Sequence, residues 1–288
     1  MTNPRLEELA RRQRNSEKPR ETSLKQRKVV VNDKIMFLEE YKFLEELRGM
    51  EGAKSLDIKI KEGKITELDF SMLYDPLHIP ESIQNLTALK SLSLSGDISE
   101  IPKGLCQLKQ LKKLGLYSHN ASFILPKEFG NLTNLELLYL SRSHLGSLPK
   151  SIRNLKKVRV LHLFENRFEV IPEEIGGMSK IEYLDIKKNQ IKYLPTSICQ
   201  LKYLRMLSIS NNPLAQLPKG IEKLQSLASL NIRDTLIEEL PEELVGMPNL
   251  ELIFTNEGAK FPKELAGKVY YPSDGSVYRP NGWGFGKK

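Results

Sequence analysis

Prolines recur along most of the chain at an almost constant interval. They stand at positions 80, 102, 126, 149, 172, 195, 218, 241 and 262, so successive gaps are 22, 24, 23, 23, 23, 23, 23 and 21 residues. Each of these prolines follows Leu, Ile or Phe. A fixed period of roughly 20 to 50 residues is the signature of a solenoid, in which one structural unit is repeated and stacked. The period therefore limits the chain to a repeat architecture before any local structure is assigned.

A second pattern, LxxLxL, begins nine residues after each of the first eight prolines, and an upstream copy at Ile65, Leu68 and Phe70 brings the total to nine. Its alternating L-x-L part predicts a short strand with one buried face, and the PxxIxxL part before it predicts a loose helical turn. One such unit cannot bury its own apolar face, so neighbours must stack. We therefore expect an α/β fold, a curved right-handed coil whose concave side is a parallel sheet of about nine strands.

The combined pattern LPxxIxxLxxLxxLxLxxN resembles the leucine-rich repeat family, and its 23-residue period with the Leu-Pro pair resembles the Ras-group or scaffold-type subclass. The resemblance covers about residues 55 to 265 and implies a leucine-rich repeat solenoid. In such repeats an Asn ladder bonds to the turns of adjacent coils, and this chain matches it only at Asn166, Asn189 and Asn212. Elsewhere the same slot holds Asp97, His119, Ser143 and Thr235. The middle of the solenoid should therefore be its most regular part.

The segments around the repeats predict caps and tails. Residues 33 to 48 have the apolar spacing of an amphipathic helix, with Asn32 or Asp33 as N-cap and with one face formed by Phe37, Leu38, Tyr41, Leu44 and Leu47. The next segment, SLDIKIKEGKITELDF, predicts a hairpin that covers the first sheet edge together with the helix. The expected organisation is a basic disordered leader (1–30), a capping helix and first hairpin strand (31–64), the repeat domain (65–267) and a Gly/aromatic tail (268–288) with a candidate closing strand at Val269 to Tyr271.

The net charge of +8 at first indicates nucleic acid or an anionic membrane as a partner. The charge is, however, unevenly placed along the sequence. Residues 1–28 carry +5 and residues from 268 onward carry +3, whereas residues 29–267 hold 31 charges of each sign. A neutral repeat body, with a leader that has no interleaved aromatic residues, disfavours nucleic acid.

The sequence also favours a reducing compartment. It holds no apolar run of the ~18 to 20 residues that cross a bilayer, and its first residues have no apolar core of a secretory signal. Its two cysteines, Cys106 and Cys199, occupy the same repeat slot four coils apart, about 19 Å by strand spacing, which is too far for a disulfide. We therefore expect a cytoplasmic protein.

Signatures of catalysis are missing from the sequence. It has no phosphate-binding loop, no dinucleotide-binding fingerprint, no HExxH or GxSxG motif and no set of protein-kinase motifs. Of the histidines, only His119 and His144 fall in adjacent repeats at nearly matching positions, and two imidazoles are fewer than the usual zinc ligands. We expect no catalytic residue, metal, cofactor or small-molecule substrate.

The register of the strands also assigns the side chains of the concave face. Over four to five neighbouring coils these side chains are apolar or aromatic with charged neighbours, and we call them the concave patch: Tyr117, Leu137, Tyr139, Arg142, Val160, His162, Phe164, Tyr183, Lys187 and Met206. Apolar side chains have no folding reason to point into an open groove, and exposed patches with Tyr, Met and Arg mark interaction sites. The alternative is that tall side chains pack on one another laterally and shield the strands.

These observations predict a non-catalytic protein–protein interaction module or scaffold that binds a protein partner through its concave face in intracellular signalling. The Ras-group resemblance implies small GTPases, kinases or phosphatases as partners. One alternative is a bacterial-type effector or a regulatory subunit of a kinase, phosphatase or ubiquitin ligase, although no cysteine follows Cys199 to serve an effector-type ligase. Another is association of the basic ends with nucleic acid or membrane.

Overall fold

In the computed structural model of the chain, strands follow one another at the repeat interval. The structure describes residues 28–31, 34–48 and 53–271, so most of the expected leader and the tail after Tyr271 lie outside the described residues. The elements are β1 (Lys28–Val31), β2 (Lys34–Phe37), α1 (Leu38–Arg48), β3 (Ala53–Lys61), β4 (Lys64–Leu77), β5 (Ser91–Ile98), β6 (Lys113–Ser118), β7 (Leu137–Tyr139), β8 (Val160–His162), β9 (Tyr183–Asp185), β10 (Met206–Ser208), β11 (Ser229–Asn231), β12 (Leu252–Phe254) and β13 (Val269–Tyr270).

Eleven of these strands, β3 to β13, form one sheet in which every strand pairs with its neighbours in the chain. From β4 to β13 all pairs are parallel, and β3 pairs antiparallel with β4 as the expected hairpin. The nine strands expected from the repeats are β4 to β12, and the candidate closing strand is present as β13. The leucine-rich repeat solenoid is therefore confirmed.

Short 3₁₀ helices lie between the strands, where the PxxIxxL segments predict helical turns. They span Glu81–Asn85, Lys103–Gln107, Lys127–Asn131, Lys150–Asn154, Glu173–Gly177, Thr196–Gln200, Ile221–Lys223, Glu242–Leu244 and Lys263–Leu265. In all but the seventh of these, the repeat proline is the residue immediately before the helix. Proline suits this position because its φ is fixed and its missing N–H leaves no donor unpaired.

Neighbouring 3₁₀ helices approach one another closely at two glycines. A Cβ atom on Gly130 would lie 2.2 Å from the carbonyl oxygen of Ser151 in the next coil, and one on Gly176 would lie 2.6 Å from that of Ser197. Only glycine fits at such separations, because real Cβ atoms do not come this near to backbone oxygen. These two glycines therefore set the distance between coils on the helical side.

The core is one continuous column of the repeat leucines. Leu114, Leu138, Leu161, Leu184 and Leu207 each have at most 1% of their surface exposed. The parallel register sets each of them beside its counterpart in the next strand. A coil therefore buries its apolar face against the coils on either side, as the repeat argument requires.

The Asn ladder runs through the middle coils. Asn189 donates from Nδ2 to the carbonyl oxygens of Leu163 (3.0 Å) and Ile186 (2.9 Å), and its Oδ1 accepts from the N–H of Phe168 (3.1 Å). Asn166 and Asn212 make the corresponding bonds one coil away on each side. Each amide thus satisfies buried backbone groups of its own coil and of the coil before it.

Two positions lie outside the regular pattern of the repeats. His119, which stands in the Asn slot of its repeat, is exposed, whereas the neighbouring Ser118 is buried and donates to the carbonyl oxygens of Ile98 and Ala121. The helix expected from residue 33 begins instead at Leu38, since Lys34–Phe37 forms an antiparallel pair with Lys28–Val31.

The capping helix α1 contacts the core through part of the expected face, at Leu44 and Leu47, together with Phe43, which was not expected there. Phe43, Leu44 and Leu47 are fully buried, whereas Tyr41 is only partly so. The carboxylate of Glu40 is also buried and accepts a 2.5 Å hydrogen bond from the N–H of Ile65 at the start of the sheet, while burial raises its pKa. The helix therefore attaches to the first edge of the solenoid by both apolar contact and a buried hydrogen bond.

Replacing Asn189 by Ala should lower the free energy of unfolding by roughly 2 to 5 kcal/mol. The substitution leaves the N–H of Phe168 without its partner, which costs about 1 to 3 kcal/mol. It also removes one of the two Asn hydrogen bonds that the carbonyls of Leu163 and Ile186 each accept, at about 0.5 to 1.5 kcal/mol for each bond. Chemical unfolding measures the change. Asn131→Ala at an exposed position is the matched control and should stay within about 0.5 kcal/mol of wild type. Equal effects of the two substitutions would contradict the role of the ladder.

Candidate functional site

Sheet register arranges most of the concave patch in two rows. Leu137, Val160, Tyr183 and Met206 are aligned across β7 to β10. Tyr139 and His162 are aligned in the second row, which continues at Asp185. The side chains that the sequence assigns to this surface are therefore neighbours in the structure, because each comes from the same position of its coil.

The ring of His162 is the centre of the aromatic part of the patch. Its centroid lies 5.0 Å from that of Tyr139 and 4.9 Å from that of Tyr183, with the Tyr183 ring stacked at an interplanar angle of 24°. Phe164 meets the same imidazole edge-on at 6.0 Å. Rings at these separations attract one another beyond the effect of area burial. Four aromatic side chains thus form one continuous surface over three strands.

Cations cover part of these rings. Lys187 Nζ lies 5.0 Å and the Arg142 guanidinium carbon 5.8 Å from the centroid of Phe164. Lys113 Nζ lies 5.8 Å from the centroid of Tyr139. Such cation–π contacts hold long side chains in place at modest energy. The concave patch therefore has a positively charged border.

A glycine leaves room for the ring of Tyr117. A Cβ atom on Gly115 would be 2.9 Å from Cε2 of Tyr117, so the tyrosine ring occupies the space over this residue. Gly115 is paired in register with Tyr139 on the next strand. Burial raises the pKa of Tyr117 to about 12, with the nearby Tyr139 and Asp69 contributing in the same direction. Tyr117 thus extends the patch onto β6.

A column of charged turns borders the patch at the ends of the strands. Five residues spaced 23 apart have positive φ between 52° and 57°, namely Arg142, Glu165, Lys188, Asn211 and Asp234. Glu165 bridges its two neighbours, with Oε2 2.6 Å from Arg142 Nε and Oε1 2.8 Å from Lys188 Nζ. These bonds lower the pKa of Glu165. At this border, therefore, a carboxylate is paired with a cation from the turn on each side.

The patch is less exposed than its sequence suggests. Val160 is 5% exposed, and the rings of Tyr139, Phe164 and Tyr183 are half-buried against one another. Among the described residues the most exposed large apolar side chains lie elsewhere, with Ile124 at 83% and Leu236 at 62%. Lateral packing of tall side chains therefore accounts for much of the patch, and the part that stays exposed is a surface of packed rings.

A buried carboxylate lies under this surface. Asp185 is 2% exposed, accepts from the N–H of Lys187 at 3.2 Å and has its Oδ2 3.4 Å from Lys187 Nζ. Burial raises the pKa of Asp185, and Lys187 opposes the shift. Lys187 also lines an open depression with Tyr183, Met206, Ser208 and Phe254. The strand register places Asp185 on the concave face but does not predict its burial, which depends on the position of the Lys187 side chain.

Among the described residues, no group of three or more His, Cys, Asp or Glu side chains could hold a metal ion. Within the same residues, no helix is long and apolar enough to cross a bilayer. Cys106 and Cys199 are both buried free thiols, and burial raises the pKa of the Cys106 thiol to about 12. A thiol with such a pKa is a poor nucleophile at neutral pH.

Comparison with protein families gives two matches. Residues 63–165 and 199–269 match a model described as a leucine-rich repeat region. Residues 157–214 match a second model, described as a leucine-rich repeat. A search of curated proteins finds no match to the chain.

Solved structures with the same fold include a leucine-rich repeat protein of Leptospira interrogans, at 29% identity over 69% of this chain and 51% of that one, with a TM-score of 0.64. The plant peptide hormone receptor RGFR1 in complex with RGF2 is 26% identical over 77% of this chain and 40% of the receptor, with a TM-score of 0.63. The Arabidopsis receptor kinase HAESA, in complex with the peptide hormone IDA and the co-receptor SERK1, is 28% identical over 65% and 32%, with a TM-score of 0.54. The chain spans about half the length of the first of these proteins and less of the others.

The imidazole of His162, at the centre of the patch, should make the free energy of unfolding depend on pH. Burial and Lys187 lower the pKa of His162 to about 4, against about 6.5 in the unfolded chain. Between these values the unfolded chain binds a proton that the folded chain does not, so His162 destabilises the fold as pH falls. His162→Phe keeps a ring in place and removes this loss, so its stability relative to wild type should improve by up to about 2 kcal/mol between pH 7 and pH 5.

Chemical unfolding at the two pH values measures this difference. The raised pKa of Asp185 acts in the opposite direction, but this carboxylate is present in both proteins. His78→Gln, at an exposed position, is the control and should follow wild type. Parallel loss of stability in wild type and His162→Phe would show that the imidazole does not titrate in this way.

Proposed function

Since the chain belongs to the leucine-rich repeat family, we propose that it is a non-catalytic module that binds a protein partner through the concave patch. The observation that carries the proposal is the continuous aromatic surface around His162, with Arg142 and Lys187 at its border. Tyr, Met and Arg are enriched where protein interfaces concentrate their binding energy. The two plant receptors similar to this chain are in complex with peptide hormones, which also supports a protein or peptide ligand.

The extent of the patch favours a macromolecular partner over a small molecule. Its rows run over four strands, β7 to β10, which at about 4.8 Å between strands is roughly 14 Å. It lies on the open face of the sheet, whereas small-molecule sites enclose most of their ligand. A loop or a helix of a partner protein covers such a surface.

The charged border of the concave patch and the depression beside Tyr183 indicate which residue types a partner would present. The depression beside Tyr183, Met206 and Phe254 suits an aliphatic or aromatic anchor residue. The border carries more cations than anions, because Asp185 is buried beneath Lys187 while Glu165 faces both Arg142 and Lys188. We infer a partner segment with an apolar anchor and acidic residues beside it.

Finer proposals rest on the sequence. The 23-residue period resembles the Ras-group subclass and supports a scaffold role in signalling, with a small GTPase, kinase or phosphatase as partner. The free thiols of Cys106 and Cys199 support a reducing, cytoplasmic location.

Replacing Tyr139, Phe164 and Tyr183 together by Ala should abolish binding of the partner. The triple variant removes the ring surface, and losses above about 2 kcal/mol, or roughly 30-fold in Kd, are typical of such anchors. Partners captured by cross-linking with the wild-type chain are identified by mass spectrometry, and the Kd of each is then measured with purified protein. Ile124→Ala, Tyr193→Ala and Leu236→Ala, at exposed apolar positions outside the patch, form the matched control triple and should bind as wild type does.

A second variant separates binding from folding. The three rings are half-buried, so their removal also lowers stability, whereas Met206→Glu keeps the rings and introduces a charge that repels an acidic partner. Both variants are checked by circular dichroism. If both are folded and bind every captured partner with wild-type affinity, the concave patch is not the binding site.

A further inference from the structure

The equal numbers of charges in the repeat body conceal an uneven distribution around each coil. The connections that run from a 3₁₀ helix to the next strand, between residues 86 and 268, hold ten Lys and Arg but only three Glu. The cations are Lys90, Lys109, Lys112, Lys156, Lys157, Arg159, Lys180, Lys202, Arg205 and Lys268. Because every coil contributes these residues at the same place, they lie along one flank of the solenoid.

Within this flank the acidic residues are confined to one column. Glu136, Glu182 and Glu251 each stand immediately before a strand. The first eight connections also have two positions between their buried apolar residues, and these sixteen residues, which we call the basic strip, hold no acidic residue. They are Thr87, Ala88, Lys109, Gln110, Thr133, Asn134, Lys156, Lys157, Ser179, Lys180, Lys202, Tyr203, Gln225, Ser226, Pro248 and Asn249.

Lysines of the basic strip are held in place by neutral groups. Lys156 Nζ donates to the carbonyl oxygen of Gly177 at 2.6 Å, and Lys157 Nζ donates to Asn134 Oδ1 at 2.7 Å. Lys180 Nζ lies 4.4 Å from the centroid of the exposed Tyr203 ring. The groups that these three lysines contact most closely are neutral, although Lys180 also lies near enough to Glu182 to contribute to the lowered pKa of that carboxyl.

The neighbouring column next to the strands behaves differently. Lys112 pairs with Glu136 at 2.9 Å, and Arg159 pairs with Glu182 at 2.7 Å. Carboxylates there neutralise part of the positive charge. The uncompensated charge of the flank is therefore concentrated in the basic strip, as a line rather than a broad surface.

We propose that the basic strip binds the phosphodiester backbone of a nucleic acid without regard to sequence. Its residue types, Lys with Ser, Thr, Asn, Gln and Tyr, are those that contact phosphates in protein–nucleic acid complexes. From Lys109 to Lys202 the strip spans four coil steps, about 19 Å, over which one strand of a duplex presents about five or six phosphates. The exposed Tyr203 adds a ring on which an unpaired base stacks.

A membrane surface fits these residues less well. The strip has no large aliphatic side chain to enter the lipid interface, since Ala88 and Pro248 are its only aliphatic members. A flat anionic surface would also approach Glu136 and Glu182 beside the strip, whereas a linear polyanion follows the lysines alone. The basic strip is separate from the concave patch, so the inference does not depend on the proposed protein partner.

Fluorescence anisotropy of the full chain with labelled oligonucleotides of about 20 residues, both single-stranded and duplex, tests the proposal. With five lysines engaged, the slope of log K against log salt should be roughly −3.5 to −4.5, a loss of about 100-fold or more between about 50 and 200 mM salt. Lys156→Gln, Lys157→Gln and Lys180→Gln together should make the slope shallower by about 2 to 3. Binding of either form supports the proposal, and the tighter one identifies the form preferred.

The matched control removes the same charge from the opposite turns of the coil, through Arg167→Gln, Lys192→Gln and Lys219→Gln. It should leave the salt slope at its wild-type value, and Lys→Arg at the three strip positions should restore the full slope. Three results would overturn the proposal: no binding at about 50 mM salt, equal effects of the two Gln triples, or binding only to vesicles that contain phosphatidylserine.

Discussion

The whole structure depends on the fact that one coil cannot bury its own leucines. Leu138, Leu161 and Leu184 are fully buried only because each lies between two neighbours in the sheet. The first coil has no earlier neighbour, and there β3 and the helix α1 supply the missing cover. The inward positions of every strand are thereby assigned to the core, and the outward positions remain for binding. In such a fold, the residue types at the outward positions of the strands and turns determine what the protein can bind.

How much was predictable from the sequence differs between the sheet, the ends and the patch. The period predicts the strands because it reports contacts between identical positions. It does not predict β1 and β2, whose pairing displaces the start of the helix to Leu38, because that pairing lies outside the repeats. It does not predict that, in the repeat whose spacing departs from 23 residues, His119 in the Asn slot is exposed while the neighbouring Ser118 is buried. Register predicts which rings of the patch are neighbours, but their exposure depends on how adjacent side chains lean, as Tyr117 does over Gly115.

The sum of charges along the chain also conceals how the charges are placed around the coil. A count of Lys, Arg, Asp and Glu over residues 29–267 gives a neutral body and disfavours nucleic acid. The same residues, sorted by their place within the coil, separate into a cationic flank and a remainder with an excess of acid. An electrostatic field depends on where charges are held, so the sum along the chain is the wrong quantity for a solenoid. The concave patch and the basic strip are consequently two surfaces of different chemistry on one rigid frame.

The Asn ladder has a consequence for the order in which this solenoid opens. Asn166, Asn189 and Asn212 join the coils of β7 to β10, and the two rows of the concave patch lie on the same strands. In a linear array, each end can detach without breaking contacts in the middle, and fraying begins where neighbours are fewest. The central coils should accordingly exchange their amide hydrogens most slowly. The surface proposed to bind a partner thus lies on the coils that are expected to open last.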